Sequence, residues 1–131
     1  MFQRRKTKGP DKMMVAKSRV KNGGYGVYAT QPIREGELLE MAPFIEVPSH
    51  FIFGQPNLLQ DYVFLSHCKP KHVLVVFGYG SMYNHSLTPN VYYRVNGHDR
   101  NRFMDYVALT NVRPGEELMI NYGPGHQVNH K

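Results

Sequence analysis

Asn84 and His85, inside the run Tyr83-Asn84-His85-Ser86-Leu87-Thr88-Pro89-Asn90, are the side chains best suited to hold a small polar ligand. An asparagine amide both donates and accepts, which matches the ammonium and carboxylate of an amino-acid-like molecule. A second run, Gly115-Glu116-Glu117-Leu118-Met119-Ile120-Asn121-Tyr122-Gly123, begins at a Pro-Gly turn and delivers a phenol, Tyr122, at the end of an apolar segment. A third, Gly23-Gly24-Tyr25-Gly26, lets a ligand approach the backbone closely. It lacks the spacing of a phosphate-binding loop, and no helical pattern follows, so a Rossmann reading fails. Each run also has a plainer account. The glycines alone read as a hairpin turn. Asn84 and Asn90 can cap their own backbone around Pro89. Most of the nine tyrosines are core residues by default.

The elements that must position these groups are short. Nine prolines and twelve glycines in 131 residues favour many brief connections over long helices. Met13 to Val20 begins a first strand, Gly23-Gly24 turns, and Val27-Tyr28-Ala29 returns. Pro32 to Gly36 turns again into a strand through Leu38, Leu39 and Met41, extended onward through Phe44 to Val47 between Pro43 and Pro48. Residues 48–60 read as an irregular surface insert, and Leu58 to Leu65 as a short helix, since Leu58, Tyr62 and Leu65 fall near one face. Val73 to Phe77 is a β-branched strand ended by Gly78-Tyr79-Gly80. Val91 to Val95 leads into the hairpin signal Asn96-Gly97, with Phe103 to Leu109 as partner and Leu118 to Ile120 as the last strand. Arg34-Glu35-Gly36-Glu37-Leu38 resembles Arg113-Pro114-Gly115-Glu116-Glu117-Leu118, a turn-then-strand solution used twice. The fold class is mostly β, built of small sheets.

Apolar residues make up 41% of the chain, enough for one modest core, so residues 13–131 form a single domain after a basic arm, residues 1–12. No apolar run approaches the roughly 18–20 residues a membrane span requires, and no signal-like segment follows Met1, so a reducing intracellular setting is expected. Cys68 is the only cysteine, which excludes an intrachain disulfide or a cysteine-clustered zinc site. His126 and His130, or His67 beside Cys68, lack further partners, and no metal is expected. Residues 1–21 hold eight basic side chains and one acid, so the net charge of +6 is an arm of +7 on a body of −1. Such an arm contacts nucleic acid, serves as a nuclear address, or is simply solvated.

Taken together and in this order, Gly24-Tyr25-Gly26, the Asn84-His85 run and the segment ending in Tyr122 resemble the SET domain, a family of S-adenosylmethionine-dependent protein lysine methyltransferases. The resemblance extends from about residue 18 to residue 123. It implies several small curled sheets around a C-terminal pseudoknot, β-clip-like, in which the segment ending in the tyrosine threads past the one after Asn84-His85. It implies S-adenosylmethionine against Gly24, Tyr25 and Gly26, with Asn84 on its methionine portion, and His85 and Tyr83 by the adenine. Tyr122 would face the transferred methyl. Tyr62, in Asp61-Tyr62-Val63-Phe64, resembles a second tyrosine lining the lysine channel. Leu87 stands where many relatives have a cysteine. Stand-alone SET proteins of this size resemble those of large DNA viruses, some acting on host histone tails in the nucleus.

The implied reaction is direct displacement by a neutral lysine amine on the methyl of a sulfonium. Removing the proton from a lysine of pKa near ~10.4 at pH 7 costs roughly 4–5 kcal/mol. A positive charge about 4 Å away supplies around 4 kcal/mol at an effective dielectric of ~20. No strong protein base is needed, and Tyr122 is better cast as an orienting group. Only nine residues follow Tyr122, none aromatic and none cysteine. His126 or a second subunit is therefore expected to cover the site, the latter as a homodimer. The rival classes are a non-catalytic SET-like module binding peptide or nucleic acid, and a nucleic-acid-binding protein acting through its basic arm.

Overall fold

Antiparallel pairing of Met13–Lys17 (β1) with Tyr25–Ala29 (β2) starts the first of two sheets in the computed structural model, which describes residues 9–20, 24–66, 68–97 and 102–122. Most of the basic arm, Gly23, His67, Gly123, His126 and His130 lie outside the described residues. Lys12 is held to the body by an ion pair with Glu37 at 2.9 Å and by its carbonyl, which accepts from Thr30 N–H.

The remaining strands are Leu38–Pro48 (β3), Val63–Leu65 (β4), His72–Val76 (β5), Asn84–His85 (β6), Val91–Asn96 (β7), Phe103–Ala108 (β8) and Glu117–Ile120 (β9). They form a four-stranded sheet, β1-β2-β9-β6, and a five-stranded sheet, β4-β5-β3-β8-β7. All neighbours are antiparallel except β6 and β9, which run parallel with Asn84 opposite Met119 and His85 opposite Ile120. The expected mostly β architecture of small curled sheets is present.

The two similar turns prove equivalent. Gly36 and Gly115 both take positive φ, +85° and +88°, which glycine adopts without a Cβ clash. In each, the glutamate after the glycine accepts from the backbone N–H of the preceding arginine: Arg34 to Glu37 at 3.1 Å, Arg113 to Glu116 at 2.9 Å. A bridge between Ile33 and Val112 sets the two turns side by side.

Two expectations are corrected. The insert of residues 48–60 contains a helical turn, His50–Phe53 (α1), and a 3-10 turn, Leu58–Asp61. The helix expected over Leu58–Leu65 is that 3-10 turn followed by β4. Leu58 is 81% exposed, so there is no apolar helical face to bury, whereas β4 gains a ladder with Val63 opposite Val75. Tyr62 sits at the junction of turn and strand.

Asn84 and His85, for which a turn is the plainer account, form a strand because β9 supplies the partners. Asn90 completes this lock. Its Nδ2 donates to the Glu117 carbonyl at 2.9 Å, and its Oδ1 accepts from Met119 N–H at 2.8 Å, so its amide pairs with β9 rather than capping its own turn.

A shift of register in β3 between Leu38 and Glu40 turns two consecutive residues, Leu39 and Glu40, inward. Glu40, 1% exposed, accepts from Tyr79 N–H at 2.9 Å and from the Tyr83 hydroxyl at 3.3 Å. The Tyr83 ring is stacked on Tyr106 at 4.6 Å inside the core, and the Tyr106 hydroxyl donates to the Gly80 carbonyl at 2.7 Å. Burial pushes the Glu40 carboxyl up to about 7 against the opposing pull of its two donors. When Glu40 is protonated, its proton can go to the Tyr83 oxygen, whose own hydrogen is then free for the Met13 sulfur, 3.6 Å away.

Glu40, buried, and Asn90, half-buried, each give a stability prediction. The Glu40 pKa is higher in the folded than in the unfolded chain, so the folded state binds more protons between about pH 4.5 and 7. Stability should therefore fall as pH rises through that window, by about 3 kcal/mol, and level off above it. Glu40→Gln, a mimic of the neutral acid, should flatten this dependence in urea titrations at pH 5 and pH 8. Asn90→Ala strands the Met119 N–H and the Glu117 carbonyl, and denaturant melts should register a loss of about 2–3 kcal/mol.

Candidate active site

β6 and the end of β9 bring the expected residues together. Asn84 Nδ2 donates to the Tyr25 carbonyl at 3.1 Å and to Glu117 Oε2 at 2.8 Å, tying β6 to β2 and β9. His85 Nδ1 accepts from Tyr122 N–H at 3.0 Å, and the two rings stack at 5.5 Å. An accepting Nδ1 places the ring hydrogen on Nε2. The Tyr122 hydroxyl turns back and donates to the Tyr83 carbonyl. The phenol is thus held at both ends by the Tyr83-Asn84-His85 segment.

The Phe64 ring meets Tyr122 edge-on at 5.9 Å and Tyr93 at 4.9 Å. Tyr93, in turn, donates to the Asn121 carbonyl at 3.4 Å. Burial first, then the neighbouring Tyr62 and Asp61, push the Tyr122 phenol up to about 12. Tyr122 is a neutral hydroxyl at any physiological pH. With its hydrogen committed to Tyr83, its oxygen can still accept a hydrogen bond from the solvent side.

Two clefts open on either side of this tyrosine. One, of about 310 Å³, includes Tyr25, Met82, Tyr83, Asn84 and His85 in its lining. The other, of about 370 Å³, includes Gln60, Val63 and Phe64. Asp61, Tyr62, Ser81 and Tyr122 line both, so the two tyrosines stand in the wall between them.

Six of the sequence candidates therefore converge, though not all in the expected way. Tyr25 lines the first cleft, 63% exposed, whereas Gly24 and Gly26 do not line it. Gly24 is needed for its turn, with φ of +62°. Gly26 is needed because a Cβ there would lie 2.3 Å from Glu117 Oε2. The Tyr83 ring belongs to the core, and its carbonyl is the part engaged by Tyr122. Sequence reasoning passed over Glu117, although it lies within a run already singled out, and over Asp61, the one acidic side chain among the described residues that line either cleft. Among the described residues no three His, Cys, Asp or Glu side chains gather as metal ligands.

Comparison with known proteins matches this geometry to one family. Residues 24–123 match the SET domain. The chain is 34% identical over 105 residues to a histone-lysine N-methyltransferase, H3 lysine-37 specific, of Schizosaccharomyces pombe, covering 76% of this chain and 67% of that protein. Its structure is similar to that of a Plasmodium falciparum protein assigned as a histone methyltransferase, with TM-score 0.69 and 29% identity over 87% of this chain and 95% of that one. It also shares the fold of a chain in Chaetomium thermophilum polycomb repressive complex 2, with TM-score 0.71 at 21% identity, over 90% of this chain and 16% of the other.

The neutral phenol has a direct check. At pH 10.5 an ordinary tyrosine, with pKa near ~10, is about three-quarters ionised. The ultraviolet difference between wild type and Tyr122→Phe should show no phenolate absorption from Tyr122 at that pH.

Proposed function

The chain belongs to the SET-domain family of protein lysine methyltransferases, and from that premise we propose that the Tyr25–Asn84–His85 cleft takes S-adenosylmethionine while the cleft beside Phe64 takes the substrate lysine. The observation that carries this reading is the shared wall of Tyr62 and Tyr122 between two clefts of small-molecule size. The fit is chemical as well. Asn84 has both amide hydrogens engaged, and its Oδ1 accepts no bond from any described residue, so an acceptor is available to an ammonium group. Tyr25 and His85 add aromatic surface for a purine, Tyr83 forms the floor, and Gly24 and Gly26 shape the turn and strand beneath.

S-adenosylmethionine bound there supplies a methyl group on a sulfonium. The chain's own contribution is alignment. The Tyr122 hydroxyl, its hydrogen given to the Tyr83 carbonyl, accepts an N–H of the incoming amine and fixes the direction of the nitrogen lone pair. Tyr62 and Phe64 provide apolar walls that favour the uncharged amine. Asp61 at the common rim attracts the lysine in its charged form before it enters. The neutral Tyr122 is not the base.

By analogy with the relatives' named activity, the substrate is a histone tail. We also propose a homodimer acting in the nucleus, with the basic arm of residues 1–12 against nucleic acid, supported by the clustering of lysine and arginine before Val20.

Tyr122→Phe should retain binding of S-adenosylhomocysteine within about twofold yet lose about 10²-fold in turnover with labelled donor and histone peptides, the scale of a lost alignment. Turnover near the wild-type rate would remove Tyr122 from the mechanism, and absence of donor binding by the wild type would remove the cleft assignment.

A further inference from the structure

Glu117 touches neither cleft, yet three separate parts of the chain converge on its carboxylate. Ser18 Oγ lies 2.9 Å from both carboxylate oxygens, reaching back across 99 residues of sequence. Asn84 Nδ2 lies 2.8 Å from Oε2. The backbone of Gly26 passes so close that any side chain there would collide with Oε2 and with Asn84 Nδ2, at 2.3 and 2.9 Å from the added carbon. Glu117 itself is placed by the pairing of β9 with β2, where it stands opposite Tyr28.

This arrangement decides which way the Asn84 amide faces. An asparagine in a polar cleft can rotate its terminal group by half a turn, exchanging donor for acceptor at little cost. Here one hydrogen of Nδ2 goes to the Tyr25 carbonyl and the other to Glu117, and both partners are pure acceptors. A rotated amide would press its oxygen against a carboxylate and a carbonyl while leaving them without a donor. The unrotated amide is the only satisfied one, and it presents Oδ1 alone.

We infer that Glu117 is a positioning residue for the amino-acid end of the donor: through Asn84 it makes the cleft an acceptor site selective for a ligand ammonium. The inference rests on the reading that this cleft holds S-adenosylmethionine, and it adds what selects the donor's amino group within it. Gly26 has its place in the same device, since its missing Cβ is the space through which the Glu117 carboxylate reaches Asn84.

The test compares two ligands by titration calorimetry on the full chain: S-adenosylhomocysteine, which carries the ammonium, and 5′-methylthioadenosine, which has the same nucleoside thioether without the amino-acid end. Glu117→Ala, or Glu117→Leu should the alanine variant fold poorly, should weaken the first ligand about tenfold or more and leave the second within twofold. Glu117→Gln keeps an acceptor for Asn84 and should restore the first to within about threefold of wild type. If the wild type binds neither ligand, the donor-cleft reading itself falls. If it binds both and the Ala and Leu variants lose the two ligands alike, or lose neither, the role of Glu117 is wrong while the cleft stands.

Discussion

A two-residue parallel pairing carries the site. Asn84 and His85 have no extended structure of their own to contribute; they become a strand because Met119 and Ile120 lie alongside. The pairing is reinforced on three sides. Ser86 N–H donates to the Ile120 carbonyl at 2.8 Å, the Asn90 side chain grips β9 as a third strand would, and the Tyr122 phenol returns to Tyr83. The Tyr83–His85 and Ile120–Tyr122 segments are thus joined at both ends, closing a loop of more than thirty residues. Closing a loop of that length costs only modestly more entropy than closing a short one, which makes so few bonds sufficient.

The electrostatic character of the centre follows from what this pairing buries. Two groups that could serve as bases near neutral pH are held out of that role by their surroundings. The Tyr122 phenol is pushed up to about 12, chiefly by burial, whereas the Glu40 carboxyl, raised to about 7, is sealed beneath Tyr83, engaged by Tyr79 N–H and the Tyr83 hydroxyl, and lines neither cleft. What remains near the phenol is a set of oriented acceptors: the Tyr83 carbonyl, the Tyr122 oxygen and Asn84 Oδ1. On the proposed reading such a centre aligns a nucleophile that arrives already uncharged, and leaves the lowering of its basicity to the positive charge of the donor.

Much of this was legible beforehand, and for local reasons. Val27 to Ala29, Val73 to Phe77, Val91 to Val95 and Phe103 to Leu109 combine β-branched or aromatic residues with nearby turn signals, and each lies in or at a strand. The Arg-Glu-Gly-Glu and Arg-Pro-Gly-Glu turns were readable as one solution because the glycine and the reaching glutamate act within four residues. What escaped depends on distant partners. Leu58 to Leu65 has helical apolar spacing but nothing to pack it against. Glu40 looks like an exposed strand residue until the shift in β3 turns it inward. Glu117 lies in plain view within a singled-out run, but its partners Ser18, Gly26 and Asn84 are brought to it only by the fold. All eight site candidates were carried by the family resemblance, and the six of them that line the clefts reflect tertiary proximity that composition and periodicity lack.

The parallel pairing also imposes an order on synthesis. Every strand of the five-stranded sheet has been translated by Ala108, and β1 and β2 long before that. A nascent chain can therefore assemble most of its core while Asn84 and His85 still lack a partner. The clefts take their final wall only when Glu117 through Tyr122 slide in beside a segment made 33 residues earlier. Until then the polypeptide is a scaffold in which Asn84 lacks Glu117 and Tyr83 lacks the Tyr122 phenol.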